Sequence, residues 1–374
     1  MRFRQFQNIW IKKSLHDITK KINIKNKNKE CKNVICNSAQ LGLIKQIDFF
    51  DKEIARDGSI KNYTIIKKND FVYNPRKSLN APYGPVNIYN YEEAGIISPL
   101  YLCFSVHDID KIFLHYYFKS QAWYRFIYLN GDSGARHDRV SIKDKVFFSQ
   151  NLYLPKAIEQ EKIGVFLTLI DQRIDTQSKI IEKYKSLINT IRTNIFNSFQ
   201  GKWTKLCNLV ENKSLQLNRG NIIPKHPKDD VYKYPVYSSS VQKDGLMGYS
   251  DYYTFDKELI TWSIDGGGDI FFREKHKFCI TNVCGILQLD TNKFSYRFVA
   301  EALKYQHSKM TFNYQTKAHP SVIEKLYALP NIELNEQDKY SKLFGVLYSK
   351  LGNEQKYLEK LKEQKKYLLS NMFI

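Results

Sequence analysis

Cysteine and long apolar runs are both scarce in this chain of 374 residues. The cysteines are too few and too far apart for a disulfide framework, which predicts reduced thiols and a cytoplasmic protein. They are Cys31, Cys36, Cys103, Cys207, Cys279 and Cys284. No apolar run approaches the ~18 residues that cross a bilayer, and the charged start lacks the apolar segment of a secretion signal. These gaps argue against a secreted or membrane-spanning protein.

Motifs for nucleotide binding and methyl transfer are incomplete. Residues 265–269 (Asp-Gly-Gly-Gly-Asp) look like a phosphate cradle but lack the Gly-Lys-Ser/Thr ending of a P-loop. A turn between strands is one interpretation, and a close approach of the backbone to DNA phosphates is another. Residues 80–83 (Asn-Ala-Pro-Tyr) lack one proline of the amino-methyltransferase signature, and no glycine-rich first strand for S-adenosylmethionine accompanies them. The sequence therefore predicts that this chain does not methylate by itself.

Metal-binding and nuclease patterns are missing as well. Cys31 and Cys36, like the His and Cys residues between 276 and 284, lack the two-residue spacing of a zinc knuckle and fit alternate positions on a strand. The carboxylates between residues 265 and 274 match no nuclease arrangement of acids and a lysine around magnesium. We therefore predict neither a metal site nor catalytic residues in this chain.

Acidic residues are in the minority. Lys and Arg number 58 against 38 Asp and Glu, which gives a formal charge of +20. Such an excess favours a polyanionic partner, with nucleic acid preferred over a membrane surface. Many of these basic residues fall within the first thirty positions, where a merely solvated face is the competing interpretation. The 26 Tyr and 23 Phe suit nucleic-acid binding but equally suit ordinary cores.

A duplicated segment is the most informative feature that the chain does contain. Residues 159–197 align without a gap on residues 336–374, 177 positions later. A Leu-Pro pair precedes both copies, Glu-Gln-x-Lys opens them, and Asn-x-Phe lies near their ends. One repeat of this length is not a solenoid, whose period is far shorter. It predicts a duplicated module in the order globular part, long helix, globular part, long helix.

Apolar residues in both copies alternate steps of four and three, the pattern of a coiled-coil seam. The first seam consists of Ile163, Leu167, Ile170, Ile174, Ile181, Tyr184, Ile188, Ile191 and Ile195. The second consists of Tyr340, Phe344, Leu347, Leu351, Leu358, Leu361, Leu368 and Met372. Because a globular part intervenes and can return the backbone, we expect the two helices to pack antiparallel on each other within the chain. Dimerisation with another chain is the alternative.

The remaining stretches predict two globular α/β domains, so the fold class is α+β with a pseudo-twofold internal repeat. The predicted boundaries are 1–153 and 201–329 for the domains, with long helices at 154–200 and 330–374. Predicted strands are 34–36, 63–66, 70–73, 259–263, 270–272 and 279–283, and predicted helices are 109–120 and 295–306. The runs 35–44 and 236–247 weakly resemble each other.

Basic and polar loop residues are the candidates for DNA contacts. Arg pairs with guanine and Asn or Gln with adenine in the major groove, whereas Lys and Ser more often reach phosphate. In the first domain the candidates are Asn37, Ser38, Gln40, Arg76, Lys77, Tyr83, Arg136, His137 and Arg139. In the second they are Ser238, Ser239, Ser240, Gln242, Lys243, Arg273, Tyr314, Gln315, Lys317 and His319.

Taken together, these features resemble the DNA-specificity (S) subunit of type I restriction–modification enzymes. The resemblance covers nearly the whole chain and is most specific in the segments 154–196 and 329–373, which are similar to the family's two conserved helical regions. Residues 69–74 (Asn-Asp-Phe-Val-Tyr-Asn), 93–101 and 134–137 are similar to its target-recognition domain. The second domain departs from these runs, which implies a divergent recognition domain with a different DNA half-site.

The resemblance implies a non-catalytic, sequence-specific DNA-binding subunit. Each domain would read half of an asymmetric, bipartite double-stranded target, and the paired helices would be a ruler for the unread spacer. The helices would also dock two methyltransferase (M) subunits, and restriction (R) subunits would join the larger complex. S-adenosylmethionine, ATP and magnesium would belong to these partners. The alternatives are a stand-alone methyltransferase or nuclease with unrecognised motifs, and a coiled-coil scaffold that binds no DNA.

Overall fold

The computed structural model describes residues 2–50, 60–132, 138–240, 242–265, 269–310 and 317–373. The chain divides into two compact units. Unit 1 consists of Met1–Gln177 and Tyr357–Ile374, and unit 2 consists of Ser178–Lys356. Each unit therefore includes part of both long helices, whereas the predicted boundaries set the helices apart from the globular domains.

In unit 1, short strands alternate with turns and short helices. The strands are β1 (Ile11–Ser14), β2 (Thr19–Lys21), β3 (Ile35–Ser38), β4 (Gly42–Lys45), β5 (Thr64–Ile66), β6 (Phe71–Tyr73), β7 (Val86–Ile88), β8 (Gly95–Ile97), β9 (Leu102–Val106) and β10 (Asn151–Leu154). The helices are α1 (Gln46–Phe50), α2 (Lys111–Lys119), α3 (Tyr124–Asn130), α4 (Asp144–Phe148) and the long α5 (Ala157–Ser198). The largest sheet has the order β2-β9-β6-β7, and β3–β4, β5–β8 and β1–β10 form antiparallel pairs beside it.

Unit 2 follows the same plan. Its strands are β11 (Trp203–Lys205), β12 (Leu215–Arg219), β13 (Tyr234–Tyr237), β14 (Leu246–Ser250), β15 (Phe255–Asp256), β16 (Leu259–Ser263), β17 (Ile270–Arg273), β18 (Lys277–Ile280), β19 (Cys284–Leu289) and β20 (Ala328–Pro330). Its helices are α6 (Leu206–Glu211), α7 (Tyr296–His307), α8 (Pro320–Leu326) and the long α9 (Leu334–Met372).

Strand pairing shows that the two units share one topology. The sheet β12-β19-β16-β17 repeats the order β2-β9-β6-β7, and the pair β11–β20 repeats β1–β10. Hairpin β13–β14 corresponds to β3–β4, and each hairpin meets a neighbouring strand in parallel, through Val34 and Ile96 in unit 1 and through Val236 and Cys279 in unit 2. The weak resemblance between residues 35–44 and 236–247 is therefore confirmed as a duplicated hairpin.

Aromatic side chains fill the core of unit 1. The rings of Tyr73 and Phe147 stack at 4.8 Å, and those of Phe71 and Phe104 stack at 5.6 Å. Trp123 is 1% exposed, and its indole N–H donates to the Phe118 carbonyl (3.1 Å), so its polar atom is satisfied in the interior. Much of the high aromatic content thus builds a core.

The core of unit 2 forms around the edge where β16 meets β19. Trp262 lies on β16, and its indole N–H donates to the Ala318 carbonyl (2.7 Å) just before α8. Gly285 leaves room for that ring, since a Cβ there would lie 2.0 Å from two of its carbon atoms. Phe196 near the end of α5 joins the same cluster, so the long helix closes this core.

The two long helices are single and uninterrupted, with 42 residues in α5 and 39 in α9. All the predicted seam residues are buried or partly buried; Leu167 and Phe344 are both 0% exposed. Gln177 is buried among them at 5% exposure. The four-and-three spacing thus marks the covered face of each helix. No helix within the described ranges has the length and apolar character needed to cross a membrane.

Contacts inside each unit fix the direction of the helix pair. In unit 1, Asp171 in the first half of α5 forms an ion pair with Lys365 near the end of α9. In unit 2, Arg192 near the end of α5 donates to the hydroxyl of Tyr348 in the first half of α9 (3.0 Å). In both units, a residue in the first half of one helix contacts a residue in the second half of the other. The two helices therefore run antiparallel, as predicted.

One predicted strand is wrong. The sequence indicates a strand at 279–283, but β18 ends at Ile280 and β19 begins at Cys284. The backbone turns between them, because Cys284 N–H donates to the Thr281 carbonyl (3.0 Å). Asn282, a turn-favouring residue, sits inside the apolar run and was the available signal.

A glycine pair tests the turn that follows β6. Gly84 has a φ of +83°, and a Cβ there would lie 2.0 Å from the Asn74 carbonyl oxygen. We expect Gly84→Ala to lower the free energy of unfolding by more than about 2 kcal/mol. Alanine disfavours the positive φ, and its Cβ would clash with the Asn74 carbonyl oxygen. Gly352 on α9 has nothing within 4 Å of its Cβ position. Gly352→Ala should therefore be neutral or stabilise by about 0.5–1 kcal/mol. Chemical denaturation of both variants checks the contrast, and equal effects would contradict it.

Candidate nucleic-acid interface

The tip of hairpin β3–β4 carries three of the predicted DNA-binding residues. Ser38 Oγ accepts hydrogen bonds from the backbone N–H groups of Gln40 (3.3 Å) and Leu41 (3.2 Å), which shapes the turn. Gln40 and Leu41 are exposed at the tip, with Leu41 63% exposed. Asn37 lies one step back and is buried. The hairpin therefore presents Gln40 to solvent and uses Asn37 and Ser38 internally.

A chain of side-chain amides fastens this hairpin to the sheet. Asn37 Nδ2 donates to the Val72 carbonyl (2.8 Å), and Asn87 Nδ2 donates to Asn37 Oδ1 (2.6 Å) and the Ser38 carbonyl (3.1 Å). Lys119 Nζ in turn donates to Asn87 Oδ1 (2.6 Å). Sequence reasoning missed Asn87 and Lys119. The signal was Asn87 alone between two apolar residues on a fully buried strand, where an amide needs partners.

Two segments far apart in sequence bring three predicted basic residues together beyond β6. Arg76 and Arg139 pair in a short antiparallel bridge, and Lys77 N–H donates to the Asp138 carbonyl (2.8 Å). Asp138 Oδ2 lies 3.9 Å from Nε of both arginines. Arg76 is 68% exposed along its side chain. We call Arg76, Lys77 and Arg139 the basic cluster; one carboxylate for three cations leaves it positive.

A polar cavity lies next to this loop region in unit 1. It has a volume of about 280 Å³, and Lys21, Lys25, Pro75 and Tyr101 are among the residues that line it. Burial raises the pKa of the Tyr101 hydroxyl, while the positive charges of Arg139 and Arg76 act to lower it, so this phenol lies in their field. The basic cluster thus borders a recess with hydrogen-bonding walls.

Tyr83 packs into the protein and is not part of the basic cluster. Its ring packs against Tyr124 at 5.0 Å between centroids, and its carbonyl accepts a hydrogen bond from the Tyr73 hydroxyl (2.9 Å). Burial raises the pKa of Tyr124 in the same packing. Tyr83 is partly buried, and its contacts anchor the turn before β7.

Hairpin β13–β14 is the counterpart in unit 2, and it carries five predicted residues on a longer loop. Ser238 is buried, and its Oγ accepts from the Thr281 hydroxyl (3.0 Å). Ser240 Oγ accepts from the Gln242 backbone N–H (3.1 Å), while Ser239 is partly exposed. Gln242 and Lys243 are exposed at the tip.

The backbone of this tip is left-handed. Lys243 and Asp244 have φ values of +48° and +52°, and Gly245 follows at +83°. Consecutive left-handed residues with side chains carry a steric cost and are found at sites where the fold holds them in place. Ser238 N–H donates to the Gly245 carbonyl (2.8 Å), which closes the loop at its base.

Arg273 supports this loop from within. It is 5% exposed, and its guanidinium carbon lies 3.9 Å from the centroid of the Tyr237 ring and 4.6 Å from that of the Phe271 ring. Its Nε donates to the Thr261 hydroxyl (3.1 Å), and burial lowers the pKa of its guanidinium. The structure places this predicted residue under the hairpin, and not on its surface.

The other predicted residues of unit 2 lie near α8. Lys317 forms an ion pair with Asp265 (3.1 Å), and both are exposed. His319 is the N-cap of α8, with Nδ1 3.0 Å from the Ser321 hydroxyl. Tyr314 and Gln315 lie outside the described residues, as do Arg136 and His137 in unit 1 and the three glycines at 266–268.

Two of the basic residues in the amino-terminal segment form ion pairs with carboxylates of unit 1. The Arg2 guanidinium donates two hydrogen bonds of 2.6 Å to the buried Glu159 carboxylate at the start of α5. Lys21 pairs with Asp144 (2.5 Å). All six cysteines are free thiols, and the described part of the chain contains no cluster of three or more His, Cys, Asp or Glu that could hold a metal ion.

Comparisons with known proteins agree with this geometry. Residues 210–363 match the family model of the type I restriction modification DNA specificity domain. A putative type I specificity subunit of Mycoplasma pneumoniae is 34% identical over 130 residues, which are 33% of this chain and 42% of that relative. The specificity subunit of the type I restriction enzyme MpnII from the same organism is 27% identical over 142 residues, 37% of this chain and 42% of its own length.

Solved structures share the fold over the whole chain. The crystal structure of a type I restriction–modification S subunit from M. genitalium has a TM-score of 0.60 at 18% identity and covers 100% of this chain and 99% of its own. A chain from a study of complex assembly and conformational transition of the type I R-M system has a TM-score of 0.58 at 12% identity and covers 97% of both chains.

Residues 210–363 thus match a type I DNA-specificity domain, and the fold of the whole chain is similar to that of these solved structures. The chain is therefore similar to type I restriction–modification specificity subunits, in sequence within the matched domain and in fold over its whole length. By sequence alone, it spans 42% of the length of each of the two relatives described.

The amide chain makes a prediction for the first hairpin. Asn87→Ala removes two donors and leaves Asn37 Oδ1 and the Lys119 ammonium without their partner, so we expect a loss of about 1–3 kcal/mol in stability. Amide hydrogen exchange in β3 and β4 should accelerate. Asn90, exposed three residues later, supplies the matched control Asn90→Ala, which should change neither. Unchanged exchange in the Asn87 variant would show that the hairpin is held by other contacts.

Proposed function

We propose that this chain is the DNA-reading subunit of a type I restriction–modification complex, with each unit recognising one half of a split target. The observation that carries the proposal is the duplication: two units of the same strand order, each with an exposed hairpin tip and exposed basic residues, and each built around part of both long helices. The chain contributes no catalysis in this proposal, and its target places it in the cytoplasm with the DNA.

Charge and polarity support a division of labour between phosphate and base contacts. The net charge of +20 supplies sequence-independent attraction to phosphates that weakens with salt. Arg76 and Gln40 in unit 1, and Gln242 and Lys243 in unit 2, are exposed side chains of the types that contact base edges or phosphate. Because the two tips differ, the two half-sites differ, and the target is asymmetric.

The paired helices are proposed as the ruler between the half-sites. A helix of 42 residues extends about 60 Å, and half-sites one helical turn of DNA apart are separated by about 34–36 Å. The antiparallel pairing found in each unit gives the rigid support that a fixed spacer requires.

The same helices are proposed to dock the M subunits. Leu169 on α5 and Val346 on α9 occupy equivalent positions of the repeat and are exposed at 56% and 55%. Exposed apolar residues repeated in this way suit two copies of one partner. R subunits would join that complex. S-adenosylmethionine, ATP and magnesium would be bound by these partner subunits.

Mapping of methylated bases in cells with and without the gene tests the function as a whole. One asymmetric bipartite motif should lose its methylation when the gene is deleted and regain it when the gene is restored. An unchanged methylation pattern, or methylation of DNA by the pure chain with S-adenosylmethionine and magnesium, would contradict a non-catalytic reading subunit.

The basic cluster yields a binding prediction. The double variant Arg76→Ala/Arg139→Ala should weaken binding to the mapped duplex about tenfold or more and reduce the salt dependence, because up to two phosphate or base contacts are lost. The matched control is Lys183→Ala/Lys360→Ala, which removes the same charge from exposed, repeat-equivalent positions on the long helices. Fluorescence anisotropy at several salt concentrations measures both. Equal weakening would assign the effect to net charge alone.

The ruler yields a second prediction. Insertion of one heptad in the middle of both α5 and α9 lengthens the pair by about 10 Å, which corresponds to about three base pairs. The methylated motif should keep both half-sites and gain about three bases of spacer. Insertion into one helix alone breaks the seam register and should abolish recognition. A changed half-site with an unchanged spacer would refute the ruler.

A further inference from the structure

The two units dock their domains on the long helices by the same clamp. In unit 1, Gln160 Oε1 on α5 accepts a hydrogen bond from the backbone N–H of Asp110, the N-cap of α2 (2.8 Å). In unit 2, Gln337 Oε1 on α9 accepts one from Ser295, the N-cap of α7 (3.0 Å). The two glutamines are equivalent in the repeat, so α2 and α7 are equivalent too. We call these contacts junction 1 (α2 on α5) and junction 2 (α7 on α9).

Equivalent positions in the two junctions carry exchanged chemistry. Tyr116 lies six residues after the cap of α2, and Glu301 lies six residues after the cap of α7. Asp171 and Tyr348 both lie eleven residues after their glutamine. In junction 1 the Tyr116 hydroxyl donates to Asp171 Oδ2 (2.8 Å), and in junction 2 the Tyr348 hydroxyl donates to Glu301 Oε1 (3.0 Å). The carboxylate belongs to the long helix in one junction and to the domain in the other.

Each junction completes this pair with cations. Lys365 pairs with Asp171 in junction 1. Arg192 Nε lies 2.7 Å and Lys304 Nζ 3.1 Å from the carboxylate of Glu301 in junction 2. Glu301 is 0% exposed; burial acts to raise its pKa, but Lys304 and Arg192 prevail and hold that pKa below its usual value. The Glu301 carboxylate is therefore ionised, and it balances the positive charges of Arg192 and Lys304.

The lysines nine residues after the caps, Lys119 and Lys304, add a second cation to both junctions. Burial, followed by the charge of Lys365, lowers the pKa of Lys119 to about 8. Positive charge is thus already crowded in junction 1, and the Asp171 carboxylate relieves it. Both junctions contain a hydroxyl bonded to a carboxylate, with two cations nearby. In junction 1 the domain helix supplies the hydroxyl and the long helix the carboxylate, and in junction 2 these roles are exchanged.

Cross-docking would break this composition. If α2 docked on α9, Tyr116 would face Tyr348, and the cations, Arg192 among them, would have no carboxylate. If α7 docked on α5, Glu301 would face Asp171, and two carboxylates at hydrogen-bond distance cannot both stay ionised without cost. Buried charges that lose their partner are strongly unfavourable.

We propose that this exchange is a pairing code that decides which domain each long helix accepts. The face of α5 accepts a domain helix with a hydroxyl six residues after its cap, and the face of α9 accepts one with a carboxylate there. In a duplicated chain with two similar helices, the code rejects the wrong domain of the same molecule or of a second copy. Its consequence for DNA reading, a fixed order of the two half-sites, rests on the proposed function; the code itself rests on the fold.

A double exchange in junction 1 of the full chain tests the code. Tyr116→Glu alone places a second carboxylate beside Asp171. Asp171→Tyr alone deprives Lys365 and Lys119 of the carboxylate that offsets their charge. Each should lower the midpoint of thermal unfolding by roughly 5 °C. The double variant recreates the arrangement of junction 2 and should recover most of that loss. Tyr367→Glu, at a 61% exposed position of α9, is the control for the introduced charge and should leave the midpoint unchanged. Additive losses in the double variant would overturn the proposal.

A smaller substitution repeats the test without a change of size. Asp171→Asn should lower the unfolding midpoint in the wild-type chain, where it removes the carboxylate that contacts Tyr116 and Lys365. In the Tyr116→Glu background it should raise the midpoint, because it removes a like-charge contact. A decrease in both backgrounds would overturn the code. None of these measurements involves DNA, so they separate failure of the code from failure of the DNA-reading function.

Discussion

Neither domain closes its hydrophobic core without the long helices, and this constraint underlies the rest of the structure. In unit 1, Ile163 and Leu167 of α5 and Met372 of α9 belong to the same buried cluster as the domain's aromatic residues. In unit 2, Phe196 of α5 belongs to the domain cluster, and Tyr340 of α9 packs against it. An apolar seam must be covered to be stable in water. Here helix and domain share the covering, so each domain is held against the long helices within its own unit.

The two hairpins solve one structural problem with different chemistry. Hairpin β3–β4 is held by amides, in which Asn87 links Asn37 to the sheet. Hairpin β13–β14 is held by a pair of hydroxyls, Ser238 and Thr281, above a guanidinium stacked between two rings. Different supports under equivalent hairpins allow the tips to diverge without altering the shared sheet. This divergence is consistent with the proposed function, in which two domains of one fold read different half-sites.

The sequence predicted the elements whose signal is periodic or repeated. The two helices, their seam residues and the duplicated hairpin follow from spacing and from the alignment of the chain on itself. It did not predict side-chain networks that join residues distant in sequence, such as Asn87 with Asn37 or Tyr116 with Asp171, because no local pattern records them. Arg273 illustrates the limit: a basic residue near a strand end reads as exposed, yet two aromatic rings enclose it.

The left-handed backbone at Lys243 and Asp244 restricts which residues the tip of hairpin β13–β14 can accept. Valine, isoleucine and threonine are disfavoured there by their branched Cβ, whereas asparagine, aspartate and glycine fit most easily. New preferences at this tip are therefore drawn from a reduced alphabet of unbranched and mostly polar side chains. Under the proposed function, the second domain would change its contacts with DNA at these two positions only within that restricted set of residues.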